Sequence, residues 1–205
     1  LHYPLRRQRQ MCIRDRPCDP FQLLRDFGAN IVRVRLWHTP DWTRYSTLVD
    51  VKKTIQRAKA CGMGVLLDFH YSDSWADPAK QIIPAAWRNS DDQETLAQHL
   101  YDYTRSTLTH LKERDLLPEF IQVGNEINSE LCLDVEVGEA GAPINWDRNA
   151  ALINAGIRAV RDTAPDAQVM LHIAQPENVL PWFDAARDAG VTDFDVIGLS
   201  YYSHW

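Results

Sequence analysis

Strand-like and helix-like stretches alternate along this chain, and that alternation constrains its fold more than any other feature. PFQLLRDFGAN reads as the end of a helix closed by Gly28. IVRVRLWHTP alternates apolar and polar positions until Pro40, and VDVKKTIQRAKACG then has helical spacing up to Gly62. GVLLDFHYS is a second strand, followed by a loop and a long helix from about Asp92 to Arg114. EFIQVGNE is a third strand. After a second long loop, from Asn128 to Trp146, come helix WDRNAALINAGIRAVRDTAP, strand QVMLHIA, helix ENVLPWFDAARDAG and strand FDVIGLSYY. Strands separated by helices pair in parallel through right-handed crossovers. Loops after strands are long and rich in Trp, Asp and Pro, whereas loops before strands are short. This asymmetry predicts a (β/α) barrel whose chemistry sits at the C-terminal strand ends. The rival doubly wound sheet lacks its phosphate-binding glycine motifs here.

Side-chain parity separates two faces on each strand. Val32, Val34 and Leu36 oppose Ile31, Arg33, Arg35 and Trp37; Leu67 and Phe69 oppose Leu66, Asp68 and His70; Ile121 and Val123 oppose Phe120, Gln122, Gly124 and Glu126. One face is wholly apolar and suits a helix layer, while the other carries polar groups that need partners when buried. Within a barrel these groups can pair with one another. An ion network of Arg33 or Arg35 with Asp68 is expected, with Arg33 and Asp68 structural and Arg35 and His70 functional. Glu126, which follows Gly124 and Asn125 at a strand end, suits a general acid for glycosidic cleavage. That reaction needs a proton donor and a second carboxylate opposite it. The other role open to Asn125-Glu126 is to cap the turn.

Composition excludes several classes. The 205 residues are 45% apolar and 24% charged, with a net charge of −6, which suits a folded chain without a phosphate-binding footprint. No run is long enough to span a membrane. Four cysteines, Cys12, Cys18, Cys61 and Cys132, have no metal-binding spacing, and the seven histidines form no H-E-x-x-H, so no metal or cofactor is expected. Residues 1–17 carry a net +4, leaving −10 on residues 18–205. They read as a segment foreign to the domain that follows, without the apolar centre of a secretory signal.

The segments NIVRVRLWHTP, LLDFHYSDSWADPAKQIIPAAW, FIQVGNEI and FDVIGLSYYSHW resemble the endo-β-1,4-galactanases of glycoside hydrolase family 53. The match keeps its order over nearly everything from Asp19 to Trp205, and HYSDSWADP…Q…PAAW is its most particular motif. The resemblance implies a retaining endo-hydrolase of β-1,4-galactan (arabinogalactan) on a TIM barrel. It makes Glu126 the general acid/base, Asn125 the holder of the sugar 2-hydroxyl, and Arg35, His70 and Tyr201 the lining of the cleavage subsite. Trp75, Asp77, Trp87, Tyr202 and Trp205 look like galactan contacts, although Trp75 or Trp87 could instead pin the loop.

Ser203-His204 stands where the family usually has Pro-Phe. The family's first strand would precede PFQLLRDFG, and its nucleophilic glutamate would end a seventh strand. The expectation is therefore a partial (β/α)8 barrel over residues 18–205, missing the first strand and the last two, and inactive alone. Polysaccharide is the expected partner, with no nucleic acid or membrane, in a monomer working outside the cell or in the periplasm. The alternatives are a mannanase- or xylanase-like barrel of the same clan, which would lack the HYSDSWADP loop, or a non-catalytic carbohydrate-binding barrel.

Overall fold

A computed structural model describes residues 19–90, 92–134 and 143–202. The chain runs α1 (Pro20–Asp26), β1 (Ile31–Leu36), α2 (Leu48–Ala60), β2 (Gly64–Phe69), α3 (Gln93–Lys112), β3 (Phe120–Val123), α4 (Trp146–Thr163), β4 (Gln168–Ala174), α5 (Val179–Asp188) and β5 (Val196–Ser200). Short 3₁₀ turns occupy Ala85–Trp87 and Pro176–Asn178. All five strands are parallel and lie in sequence order, as the helical crossovers predict.

The helices begin where the sequence supplies caps. The Asp19 carboxylate accepts from the Phe21 N–H, Thr47 from Asp50, Asp92 from Thr95 and Asn145 from Arg148. Each satisfies an amide that the first helical turn leaves free. α3 then buries Leu96, Leu100, Thr104, Leu108 and Leu111 along one stripe. That stripe belongs to the core between the helices and the apolar face of the sheet, where Val65, Leu67, Phe69, Ile121, Val123, Val169, Leu171 and Ile173 are all fully buried. Burying each such side chain contributes roughly 1.5–3 kcal/mol.

The opposite face is polar and its groups pair, as parity requires. Arg33 forms an ion pair with Asp68 at 2.9 Å and donates from Nε to Gln122 Oε1 at 3.1 Å. Gln122 Nε2 donates in turn to the other Asp68 oxygen at 2.7 Å. Arg33, not Arg35, is therefore the partner of Asp68. Four strands end earlier than their sequence pattern, β2 at Phe69 and β3 at Val123 among them. Trp37 leaves the β1 ladder because its N–H bonds to the Ser46 carbonyl, and β5 stops at Ser200, so Tyr201 and Tyr202 follow the strand. β1 and β5 are the edges of the sheet among the described residues, and Ile197 and Leu199 on the outward face of β5 are 50% and 39% exposed. Residues 18–205 expressed alone are accordingly expected to self-associate through these edges. A light-scattering mass equal to one chain at tens of micromolar would contradict this.

Candidate active site

The site is built at the C-terminal ends of β2, β3, β4 and β5, around a sharp turn after β3. The strand ends at Val123, and Gly124 takes φ +85°, a conformation glycine adopts at little cost. A Cβ at this position would lie 2.5 Å from Ile127 Cγ2, so glycine is required for space as well. Glu126 itself sits at φ +49°, unfavourable for a residue with a side chain unless its surroundings hold it. Three contacts do so. Its N–H donates to His172 Nδ1 at 3.2 Å, its carbonyl accepts from Gln81 Nε2 at 3.2 Å, and its Oε1 accepts from Ser200 Oγ at 2.5 Å.

Asn125 is buried beside it. Its Oδ1 accepts from Arg33 Nη2 at 2.7 Å, and its Nδ2 donates to the Ala76 carbonyl at 2.7 Å, leaving one amide hydrogen. The Arg33–Asp68 network, expected to be purely structural, thus reaches and orients the Asn125 amide. Gln81, the isolated glutamine of the long loop motif, joins that loop to the turn. Its single amide donates to the carbonyls of Asp77, Asn125 and Glu126.

The remaining candidates fall into two groups. Trp75 is 47% exposed and packs one ring over the Arg35 guanidinium, whose carbon lies 4.6 Å from the ring centroid; Trp37 stacks on the same guanidinium at 4.3 Å. Burial between the two indoles lowers the Arg35 pKa, against the raising influence of Asp68. Tyr201 and Tyr202, 67% and 52% exposed, stand at the mouth just past β5. Trp205, with Ser203 and His204, lies outside the described residues.

His70, Asp77 and Trp87 all make contacts that hold the loop. His70 is buried, with Nε2 3.0 Å from Asp68 and Nδ1 accepting the Ala76 N–H, so both ring nitrogens are committed to the protein. Asp77 accepts from the Ala79 N–H and closes a tight turn to Lys80. Trp87 is only 5% exposed and is packed by His38, His99, Tyr103 and Tyr71, which makes it the loop's pin and gives it no open face for a sugar. Trp87→Ala is expected to cost about 3–5 kcal/mol of unfolding free energy, read as a lowered urea midpoint. An unchanged midpoint would mean that the pocket around it collapses without loss.

Sequence reasoning missed His172 and Ser200. The signal for His172 was available: it is the one ionisable group in the strand QVMLHIA, on the parity of Met170. Burial beside Arg33 and His70 outweighs Asp68 and holds the His172 pKa down at about 4. Gly198 packs closely beside it: a Cβ there would meet Met170 Sδ at 2.7 Å and His172 Cδ2 at 3.0 Å, so those side chains would have to shift. A hollow of about 420 Å³ adjoins the turn, lined by Pro78, Asn128, Ser129, Trp146, Gln175 and Trp182 among others. Among the described residues no group of three or more His, Cys, Asp or Glu side chains could hold a metal ion. No helix there is long and apolar enough to cross a membrane.

The model of glycosyl hydrolase family 53 matches residues 14–205. The chain is 56% identical over 191 residues to an arabinogalactan endo-β-1,4-galactanase of Cellvibrio japonicus, covering 91% of this chain and 50% of that protein. It is 38% identical to an endo-β-1,4-galactanase of Bacillus subtilis, covering 91% and 43%. Among solved structures, the Ignisphaera aggregans GH53 catalytic domain superposes with a TM-score of 0.82 at 34% identity, over 92% of this chain and 53% of that one. The chain thus spans about half the length of the curated relatives it matches, and its parallel sheet with outer helices is part of a (β/α)8 barrel. On this match of sequence, fold and order of elements, the chain belongs to glycosyl hydrolase family 53.

Proposed function

We propose that this chain carries the acid/base half of an endo-acting hydrolase of β-1,4-galactan that works with retention of configuration. The observation that carries the reading is Glu126: a carboxylate at a strand end, on a strained turn whose backbone and side chain are both held in place. Asn125 beside it keeps one amide hydrogen for a sugar hydroxyl, and Trp75 presents a half-exposed indole at the same mouth. The names of the relatives support galactan as the substrate class.

In the first step a second carboxylate attacks the anomeric carbon while Glu126 gives its proton to the departing glycosidic oxygen. In the second, Glu126 takes a proton from water, which displaces the enzyme from the sugar. Retention needs the two carboxylates roughly 5 Å apart. Among the described residues, Glu130 is occupied by Arg148 and the Asn145 N–H, and Asp68 by Arg33, Gln122 and His70. The attacking carboxylate is accordingly assigned to polypeptide outside them. A polymer substrate places the enzyme outside the cell or in the periplasm.

The test is hydrolysis of β-1,4-galactan by the full-length protein, followed by proton NMR. The β-anomer of the new reducing end should appear first. Initial release of the α-anomer would exclude retention, and activity on mannan or xylan but not galactan would move the enzyme to another substrate class. Trp75→Ala should raise KM for galactan about tenfold with a smaller change in kcat, because a stacked ring is worth roughly 1–1.5 kcal/mol to a bound sugar. An unchanged KM would remove Trp75 from the binding surface.

A further inference from the structure

His172 on β4 and Ser200 on β5 touch Glu126 from opposite ends, and the directions of their hydrogen bonds are fixed by chemistry. The Glu126 N–H points at His172 Nδ1 at 3.2 Å, so Nδ1 must present a lone pair. A neutral imidazole then carries its hydrogen on Nε2, which faces Ser200 Oγ at 3.1 Å. Ser200 accepts that hydrogen and has one of its own to give, directed at Glu126 Oε1 at 2.5 Å. The result is a closed circuit that leaves Glu126 at its backbone N–H and returns at its carboxylate, every donor pointing the same way.

Burial, with the ionisable groups around it, keeps the His172 imidazole neutral. Burial, Arg33 on β1 and His70 just past the end of β2 disfavour a second proton, and together they outweigh Asp68. Glu126 approaches the ring through its backbone N–H, and its carboxylate is reached through Ser200. The imidazolium form would lose the Nδ1 acceptor and break the circuit at the residue whose φ is already strained.

We propose that His172 and Ser200 are positioning residues that reserve Oε1 of Glu126 as a hydrogen-bond acceptor. The transferable proton is thereby confined to Oε2, facing the leaving oxygen. This inference rests on the reading of Glu126 as acid/base, and it assigns the direction in which that acid is aimed.

The experiment has two arms in the full-length protein. With ¹⁵N-labelled histidine, a long-range ¹H–¹⁵N spectrum at pH 7 should show His172 neutral with its hydrogen on Nε2, the resonance being assigned by its loss in His172→Asn. A hydrogen on Nδ1, or an imidazolium, overturns the proposal. In the second arm, Ser200→Ala should lower kcat/KM on galactan by about 10–100-fold. A dinitrophenyl β-galactobioside, whose leaving group departs without a proton, should be cleaved within twofold of the parent kcat/KM. Ser200→Thr, which keeps the hydroxyl, should recover most of the loss. Equal losses on both substrates would show a packing defect, and no loss on galactan would show that Oε1 needs no partner; either overturns the proposal. If the parent protein cleaves neither substrate, the acid/base reading itself fails, while the imidazole spectrum still decides the circuit.

Discussion

Glu126→Gln in the full-length protein is expected to reduce cleavage of β-1,4-galactan by about 10³-fold or more, with binding largely retained. The amide fills the same volume and can still accept from Ser200 Oγ, which reaches Oε1 at 2.5 Å, so the turn keeps its shape. What it lacks is an acidic proton for the glycosidic oxygen. General acid catalysis is worth about 10²–10⁴-fold, and a 10³-fold loss corresponds to about 4 kcal/mol of transition-state stabilisation. Isothermal titration with galacto-oligosaccharide should give a Kd within a few-fold of the parent. The contrast between substrates is the sharper readout, because a dinitrophenyl leaving group needs no proton and its kcat/KM should fall far less. Galactan turnover at the parent rate would remove Glu126 from the mechanism. Equal collapse of binding and of both rates would instead assign it a structural role.

The second large effect is expected at Gly124, which makes no contact with substrate in this mechanism. Gly124→Ala forces a side chain into φ +85°, a cost of about 1 kcal/mol, and drives its Cβ to 2.5 Å from Ile127 Cγ2 and 3.1 Å from Leu131 Cδ2. Ile127 and Leu131 are both fully buried, so neither can swing aside into solvent. A total destabilisation of about 2–4 kcal/mol is expected, measured by urea unfolding. Activity should fall further than stability alone explains, since relief of the clash displaces Asn125 and Glu126 together. A variant with parent stability and parent kcat would show that the turn tolerates another backbone path.

These two residues also mark how far the sequence could be read. Parity correctly put Arg33, Asp68 and Gln122 on one side, because alternation is a property of each strand by itself and the three then found one another. The same rule reached Glu126 for a reason that does not hold. β3 ends at Val123, and Glu126 arrives at the mouth through two left-handed residues and not through continued alternation. Trp87 was readable as an aromatic in a loop, but whether its face would be open or covered depends on Tyr103 and His99 of α3, which come from another part of the chain. His172 and Ser200 escaped for a related reason. Their meeting depends on the register that sets His172 against Gly198 and Ala174 against Ser200, and no local pattern records it. The long loop motif, by contrast, was legible as a unit, and Gln81 shows what one of its residues does: it ties the loop to the turn after β3.

One amide group of Gln81 holds the carbonyls of Asp77, Asn125 and Glu126. The long loop and the turn that carries Glu126 are therefore not separable modules. Transplanting residues 73–87 onto another barrel of similar shape would import an amide that expects two carbonyls from a particular left-handed turn. A recipient without that turn would gain the aromatic surface and lose the loop's anchor. Chimeras that exchange loop and turn together should keep their register, and those that exchange the loop alone should not.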